Sequence, residues 1–140
     1  MKIIKHENFP QRVAQLIRQF ELLESDECTI QFPIEEYGDN VAPGEWMSVI
    51  GKPTAAHRPI VLTMDTGVRG NAVGIKAMKE SRCSFVCLEH GWSKKPLQEF
   101  AWRILKAWPE IVKKAKEAHD TEQHCKIGVT INGKPYVTNL

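Results

Sequence analysis

The sequence predicts an α/β fold, with a mostly parallel sheet of about four to five strands, helices on both faces and a C-terminal hairpin. Short apolar, β-branched runs alternate along the chain with segments whose apolar residues recur every three or four positions. The runs at 60–63 and 83–88 are apolar nearly throughout, which is typical of parallel strands buried on both faces. Near the C-terminus, Asn132 and Gly133 separate two β-rich runs and indicate a hairpin.

The N-terminal part predicts a strand, a helix and a second strand. The strand at 2–5 precedes a helix over about 10–23, where Pro10 suits the first turn because its missing N–H has no partner there. One face of this helix is apolar and is expected to be buried, with Val13, Leu16, Ile17 and Phe20. A polar turn then leads to a strand over 28–32.

The middle of the chain contains a loop, two helices and one apolar strand. Glycine, proline and asparagine mark 35–44 as a loop, and a short helix is expected over about 45–50. The strand at 60–63 follows and ends at Asp65. A glycine-rich turn then opens a helix over about 71–81.

The C-terminal half predicts the strand at 83–88, a long helix over about 96–118 and the hairpin strands at 125–131 and 134–138. Pro109 is expected to break or kink the long helix into two segments. The residues expected to face inward from this helix are Leu97, Ala101, Ile104, Leu105 and Trp108.

Length and composition indicate one globular domain over 1–140. Hydrophobic residues make up 42% and charged residues 26% of the 140 residues, which is ordinary for a soluble protein. The apolar runs are far shorter than the roughly 20 residues that span a bilayer, and the N-terminus lacks the apolar segment of a signal peptide. We therefore expect a cytoplasmic protein. The four cysteines lack CxxC spacing, and Cys83 and Cys87, in the apolar run at 83–88, are interpreted as small buried hydrophobic residues. A zinc site formed by His119, His124 and Cys125 is disfavoured because their spacing fits no common ligand pattern.

Ionisable residues follow three of the predicted strands. Glu7 comes just after the first strand, Asp65 after the strand at 60–63, and Glu89 after the strand at 83–88. Because the carboxyl ends of parallel strands meet at one edge of the sheet, we expect these carboxylates to lie close together. Glu45, at the start of the short helix, is the fourth member of the group.

Clustered carboxylates repel one another unless a cation binds between them. Oxygen ligands favour Mg²⁺ or Mn²⁺, and such sites activate water against a phosphodiester. The sequence therefore predicts a metal held by Glu7 and Asp65, with Glu45 and Glu89 completing the catalytic group. The competing interpretation is that these acids are solvated loop residues or helix caps.

The segment from His6 to Pro10 resembles the Asp-Glu-Asn-Leu-Pro opening of PIN-like domains related to VapC-type toxin ribonucleases. Further matching segments follow in the same order, at Glu45-Trp46, 61–65, Arg69-Gly70-Asn71, 85–88, Gly91-Trp92, 101–103 and 108–111. Together they extend from Lys2 to about Val137. The resemblance implies a Rossmann-like PIN domain, metal-dependent endoribonuclease activity with Mg²⁺ or Mn²⁺, and a toxin-antitoxin pair in which an antitoxin protein is the partner.

The chain departs from this family pattern at two acidic positions, which are occupied by His6 and Gly74. Fewer charged ligands weaken divalent binding, so three interpretations stay open. In the first, a shifted Mg²⁺ site is formed by Glu7, Glu45, Asp65 and Glu89. In the second, His6 is a ligand and the site binds a softer metal such as Mn²⁺ or Zn²⁺. In the third interpretation the domain has lost catalysis and binds nucleic acid or protein.

RNA is the substrate that the resemblance implies, and several polar residues at the strand ends are candidates to contact it. These are His6, Asn8, Thr63, Arg69 and Asn71, with Arg69 placed to neutralise a phosphate. Trp92, beside the basic residues of the last helices, is a candidate platform for base stacking. A less favoured alternative is nucleotide binding by the glycine-rich turn at 67–74. A homodimer is compatible with either function.

Overall fold

The computed structural model describes residues 1–6, 9–24, 28–32, 59–64, 80, 83–122 and 124–139. Within these residues the strands are β1 (Lys2–Lys5), β2 (Thr29–Gln31), β3 (Ile60–Met64), β4 (Ser84–Leu88), β5 (Cys125–Val129) and β6 (Pro135–Asn139). The long helices are α1 (Gln11–Glu24) and α2 (Leu97–Asp120), and a short 3-10 helix spans His90–Lys94.

All six strands form one sheet in the order β2-β1-β3-β4-β5-β6. The first five are parallel, and β6 runs antiparallel to β5. The predicted α/β class and the mostly parallel sheet are therefore confirmed. The sheet has six strands rather than four or five because β5 pairs with β4, so that the C-terminal hairpin extends the sheet.

The predicted hairpin is confirmed, and Gly133 shapes its turn. The Gly133 N–H donates to the carbonyl of Thr130 at 2.8 Å, and the Thr130 N–H donates to the carbonyl of Lys134 at 3.1 Å. Gly133 has a φ of +79°, in the left-handed region that favours glycine. Its position at the end of the turn is typical of hairpins with slightly longer loops.

The two long helices pack on the same face of the sheet. Their core contacts include Ile3, Leu62, Val86 and Ile127, which alternate to that face along their strands, and the helices also contact each other. Residues on the opposite face, such as Val61 and Phe85, are buried as well. The helices expected at 45–50 and 71–81 lie outside the described residues, so helices on both faces remain a prediction.

Helix α1 buries a narrower stripe than its periodicity predicts. Val13 and Ile17 are buried, and Phe20 packs against the core, as expected. Leu16 is 43% exposed, so its predicted burial is wrong. Leu16 shares its side of the helix with the exposed Leu23, two turns later, and this side faces away from the sheet.

Helix α2 continues through Pro109 as one element, so the predicted break is wrong. Pro109 is on the exposed side, while buried residues on both sides of it, including Ile104 and Ile111, pack against the sheet. This packing keeps the helix continuous although proline removes one backbone hydrogen bond. Leu97, at the first position of α2, is 47% exposed and was wrongly expected to face inward.

The four cysteines are all free and buried, which confirms the interpretation of Cys83 and Cys87 as small buried residues. Burial raises the pKa of the Cys125 thiol, and a hydrogen bond with the Ser84 hydroxyl partly offsets the rise. The thiol is therefore held in its neutral form, which suits a packing role rather than a nucleophilic one.

A buried hydrogen bond joins the two long helices. The indole N–H of Trp108 in α2 donates to the carboxylate of Glu21 in α1, and both side chains are buried. A buried carboxylate costs free energy unless hydrogen bonds compensate for lost water. This contact therefore fixes how the helices pair on the sheet.

Replacing Trp108 with Phe keeps an aromatic ring but removes the donor to Glu21. We expect the free energy of unfolding to fall by about 2 kcal/mol or more, measured by urea denaturation. Trp102→Phe on the exposed side of the same helix is the matched control and should change it by less than about 0.5 kcal/mol. Equal effects of the two substitutions would contradict the proposed role of the hydrogen bond.

Candidate functional site

The carboxyl ends of β1, β3 and β4 lie side by side at one edge of the sheet. Lys5 is paired with Leu62, and the His6 N–H donates to the Leu62 carbonyl at 2.8 Å, so the chain leaves β1 directly beside β3. Met64 is paired with Leu88 at the end of β4. The strand order reverses between β1 and β3, and open α/β sheets bind ligands at this point.

An aromatic cluster of Phe9, Trp92 and Phe100 lies beneath this carboxyl edge. The Phe100 ring contacts Phe9 edge-on at a centroid distance of 5.7 Å and Trp92 at 5.3 Å. Each residue belongs to a different segment, namely the connection into α1, the 3-10 helix after β4, and the start of α2. The aromatic cluster therefore holds together the segments that surround the edge.

Trp92 has no exposed surface, so the prediction that its ring stacks on RNA bases is wrong. The indole N–H donates to the carbonyls of Val129 and Thr130, at 3.2 and 3.0 Å. The 3-10 helix turns the side chain into the core, where these carbonyls satisfy its only polar group. Trp92 thus links the end of β4 to the end of β5.

The structure describes three of the predicted site residues, His6, Thr63 and Glu89. The other predicted site residues are Glu7, Asn8, Glu45, Asp65, Arg69 and Asn71, and they lie outside the described residues, as does Gly74. In sequence, Glu7 directly follows His6, and Asp65 directly follows Met64. Their attachment points are therefore fixed on neighbouring strands.

The backbone of His6 is held from three sides. Its N–H donates to Leu62, while its carbonyl accepts from the Phe9 N–H at 3.0 Å and from the Lys5 ammonium at 3.1 Å. These bonds fix the exit of β1. Thr63 is buried on the neighbouring strand, and its hydroxyl donates to the Met64 carbonyl at 3.3 Å.

Glu89 is the described carboxylate that immediately follows a strand at this edge. Its backbone N–H donates to the Val129 carbonyl at 3.1 Å, and its backbone stays extended before the 3-10 helix begins. The side chain is half-buried and makes no capping hydrogen bond to that helix. The carboxylate is therefore not used to stabilise the helix start.

The spacing between strands decides which of the carboxylates at this edge could bind the same cation. Neighbouring strands are about 4.8 Å apart, so the residues after β1 and β3 start within reach of one cation, and those after β1 and β4 start about 10 Å apart. No group of three or more metal-ligating side chains occurs among the described residues. A divalent site at this edge would therefore need carboxylates from outside the described residues, and Glu7 and Asp65 are the ones that the sequence predicts, with Glu89 on the more distant strand.

Lys5 is a component of the edge that the sequence interpretation missed. It is buried at the end of β1, on the side of the strand that carries Ile3, and its ammonium reaches back to the His6 carbonyl. The available signal was a lysine at a position where strand alternation expects a core residue. A buried ammonium adds positive potential beside the candidate carboxylates.

Comparison of the chain with family models, curated proteins and solved structures finds no match. Among the described residues, no helix has both the length and the apolar character needed to cross a bilayer. Functional inference therefore depends on the chemistry of the carboxyl edge.

Replacing Glu89 with Ala tests whether its carboxylate has a structural role. Because it makes no capping hydrogen bond, we expect the free energy of unfolding to change by less than about 0.5 kcal/mol in urea denaturation. The matched buried carboxylate, Glu21, accepts from Trp108, and Glu21→Ala should cost about 2 kcal/mol. If Glu89→Ala lowers the free energy of unfolding by more than about 1 kcal/mol, the carboxylate has a structural role instead.

Proposed function

We propose that this protein is a metal-dependent endoribonuclease with its active site at the carboxyl edge of the sheet. The adjacency of the β1 and β3 ends carries the proposal, because Asp65 directly follows β3 and Glu7 follows β1 after one residue, His6. Acids at this position fit the family resemblance of the segment from His6 to Pro10. The strand-order reversal at the same point adds support.

In this proposal Glu7 and Asp65 hold one Mg²⁺ or Mn²⁺ ion, and Glu45 and Glu89 supply the remaining negative charge. The cation supplies Lewis acidity toward the phosphodiester and lowers the pKa of bound water. Arg69 neutralises phosphate charge near Asp65. The groups that orient RNA at the strand ends are His6, Asn8 and Asn71, whereas Thr63 is buried and its hydroxyl donates to the Met64 carbonyl.

The proposal extends to the biological setting that the resemblance implies. Such a nuclease is the toxin component of a toxin-antitoxin pair, acts in the cytoplasm and is neutralised by an antitoxin protein. A homodimer is compatible with this arrangement. These points depend on the family resemblance alone.

The second candidate is a PIN-like domain that binds RNA or protein without cleaving RNA. Lys5 favours it, because its ammonium is 3.1 Å from the His6 carbonyl, at the edge where the cation would bind. Like charges repel, so this ammonium opposes divalent binding. The histidine at position 6, in place of the family acid, has the same effect on affinity.

The test is cleavage of end-labelled single-stranded RNA with Mg²⁺, with Mn²⁺ and with EDTA. We expect cleavage that needs the cation and falls at least about 100-fold in Asp65→Asn and Glu7→Gln, since even partners of metal ligands contribute about 10- to 100-fold. Asp120→Asn, at the far end of α2, is the matched control and should retain activity.

Two results would contradict the nuclease proposal. One is no cleavage by the wild-type protein with either cation at high enzyme concentration. The other is cleavage that persists in both Asp65→Asn and Glu7→Gln, which indicates a contaminating nuclease. RNA binding by an inactive wild-type protein would support the non-catalytic candidate.

A further inference from the structure

Trp102 is the one exposed tryptophan among those the structure describes. Its side chain on α2 is 60% exposed, whereas Trp92 and Trp108 have no exposed surface. A large aromatic ring in water leaves apolar area uncovered, and tryptophan is strongly enriched where proteins bind ligands. Trp102 is therefore a candidate for contact with a binding partner.

A lysine lies directly beside this ring. The Lys106 ammonium, one helical turn further along α2, is 5.3 Å from the centroid of the Trp102 ring. This is a cation–π contact, and it places a positive charge next to an exposed aromatic face. Proteins that bind single-stranded nucleic acid use this combination, since bases stack on the ring while cations attract phosphates.

An outer stripe of exposed residues continues from Trp102 along the same side of α2. Its members are Trp102, Lys106, Pro109, Lys113 and Lys116. They recur at intervals of four and three residues, as one face of a helix requires. At about 1.5 Å per residue the outer stripe is about 21 Å long.

The outer stripe carries positive charge, and two of its lysines, Lys106 and Lys113, take part in none of the ion pairs described for this helix. The described ion pairs of this helix join Glu99 to Lys95 and Arg103, Glu117 to Lys114, and Asp120 to His119 when the imidazole is protonated. Glu110 is the acid that lies one helical turn from both Lys106 and Lys113, and it reduces the positive potential between them.

We propose that the outer stripe binds single-stranded RNA, with Trp102 stacking on a base and Lys106 and Lys113 contacting phosphates. The inference deepens the proposed function and rests on it for the choice of RNA. It replaces Trp92, the stacking residue expected from the sequence, with a tryptophan whose ring is accessible. A protein partner fits less well, because the outer stripe is dominated by lysines, which are depleted at protein–protein interfaces, and Pro109 is its one aliphatic side chain.

The outer stripe begins close to the candidate active site. Helix α2 starts soon after Glu89, and the Arg103 guanidinium donates to the Ile131 carbonyl, in the turn that follows β5. Trp102 is therefore within about two helical turns of the carboxyl edge, and Lys113 lies further away. RNA bound along α2 would have one end directed toward that edge.

The experiment measures fluorescence anisotropy of a labelled 12-nucleotide uridine RNA titrated with protein in EDTA. EDTA prevents cleavage, so binding is measured apart from catalysis. We expect Trp102→Ala to weaken binding about 5- to 100-fold, the loss of one base–aromatic stack. Trp102→Phe should retain most of the affinity, and Leu97→Ala, another exposed apolar residue of α2, should bind like the wild type.

The salt dependence tests the phosphate contacts. For single strands each contact adds about 0.7 to the slope of log affinity against log salt, so Lys106→Gln with Lys113→Gln should lower the slope by about 1.4. Circular dichroism confirms that each variant is folded. Glu110→Gln should strengthen binding, because it removes the adjacent negative charge.

Three results would overturn the proposal. They are no RNA binding by the wild-type protein, equal binding by wild type and Trp102→Ala, and a Trp102→Ala variant that changes self-association but not RNA affinity. The proposed function fails differently, since an inactive protein can still bind RNA through Trp102. If the protein cleaves RNA but Trp102→Ala leaves its RNA affinity unchanged, the proposed function stands and only the RNA-binding role of the outer stripe is overturned.

Discussion

The aromatic cluster of Phe9, Trp92 and Phe100 is the contact on which the carboxyl edge depends. Each ring comes from a different segment, and pairs of this kind contribute about 0.5–1.5 kcal/mol beyond the area that they bury. Trp92 adds hydrogen bonds to two carbonyls at the end of β5. Apolar contacts and these hydrogen bonds therefore stabilise the segments at the carboxyl edge. The polar side chains at the edge are not needed for this stability and can serve a binding or catalytic role.

The strands were predictable because buried parallel strands are apolar along their length, and β3 and β4 have this pattern. Periodicity located the helices but did not show which neighbours cover them, so Leu16 and Leu97 were wrongly assigned to the core. Trp92 was misassigned for the same reason. Its neighbours in sequence are polar, and only the turn of the 3-10 helix brings its ring into the core.

The location of the candidate site followed from fold class, since the strand ends of an open α/β sheet share one edge. The charge of that edge could not be predicted from the fold class. Lys5 occupies a strand position where alternation expects an apolar side chain, and its contact with the His6 carbonyl depends on the folded backbone. A positive charge there would oppose a cation, whereas the predicted carboxylates would favour one, so the two proposed functions differ in which of these charges prevails.

The central claim is that the residues following β1 and β3 form one divalent cation site. Isothermal titration calorimetry with Mn²⁺ tests it most directly on the wild-type protein, Glu7→Gln, Asp65→Asn and the control Asp120→Asn. The account predicts one site per chain in the wild type and the control, and at least about a 10-fold loss of affinity in each of the other two variants. Absence of Mn²⁺ binding in the wild type, or unchanged binding in both site variants, would contradict it.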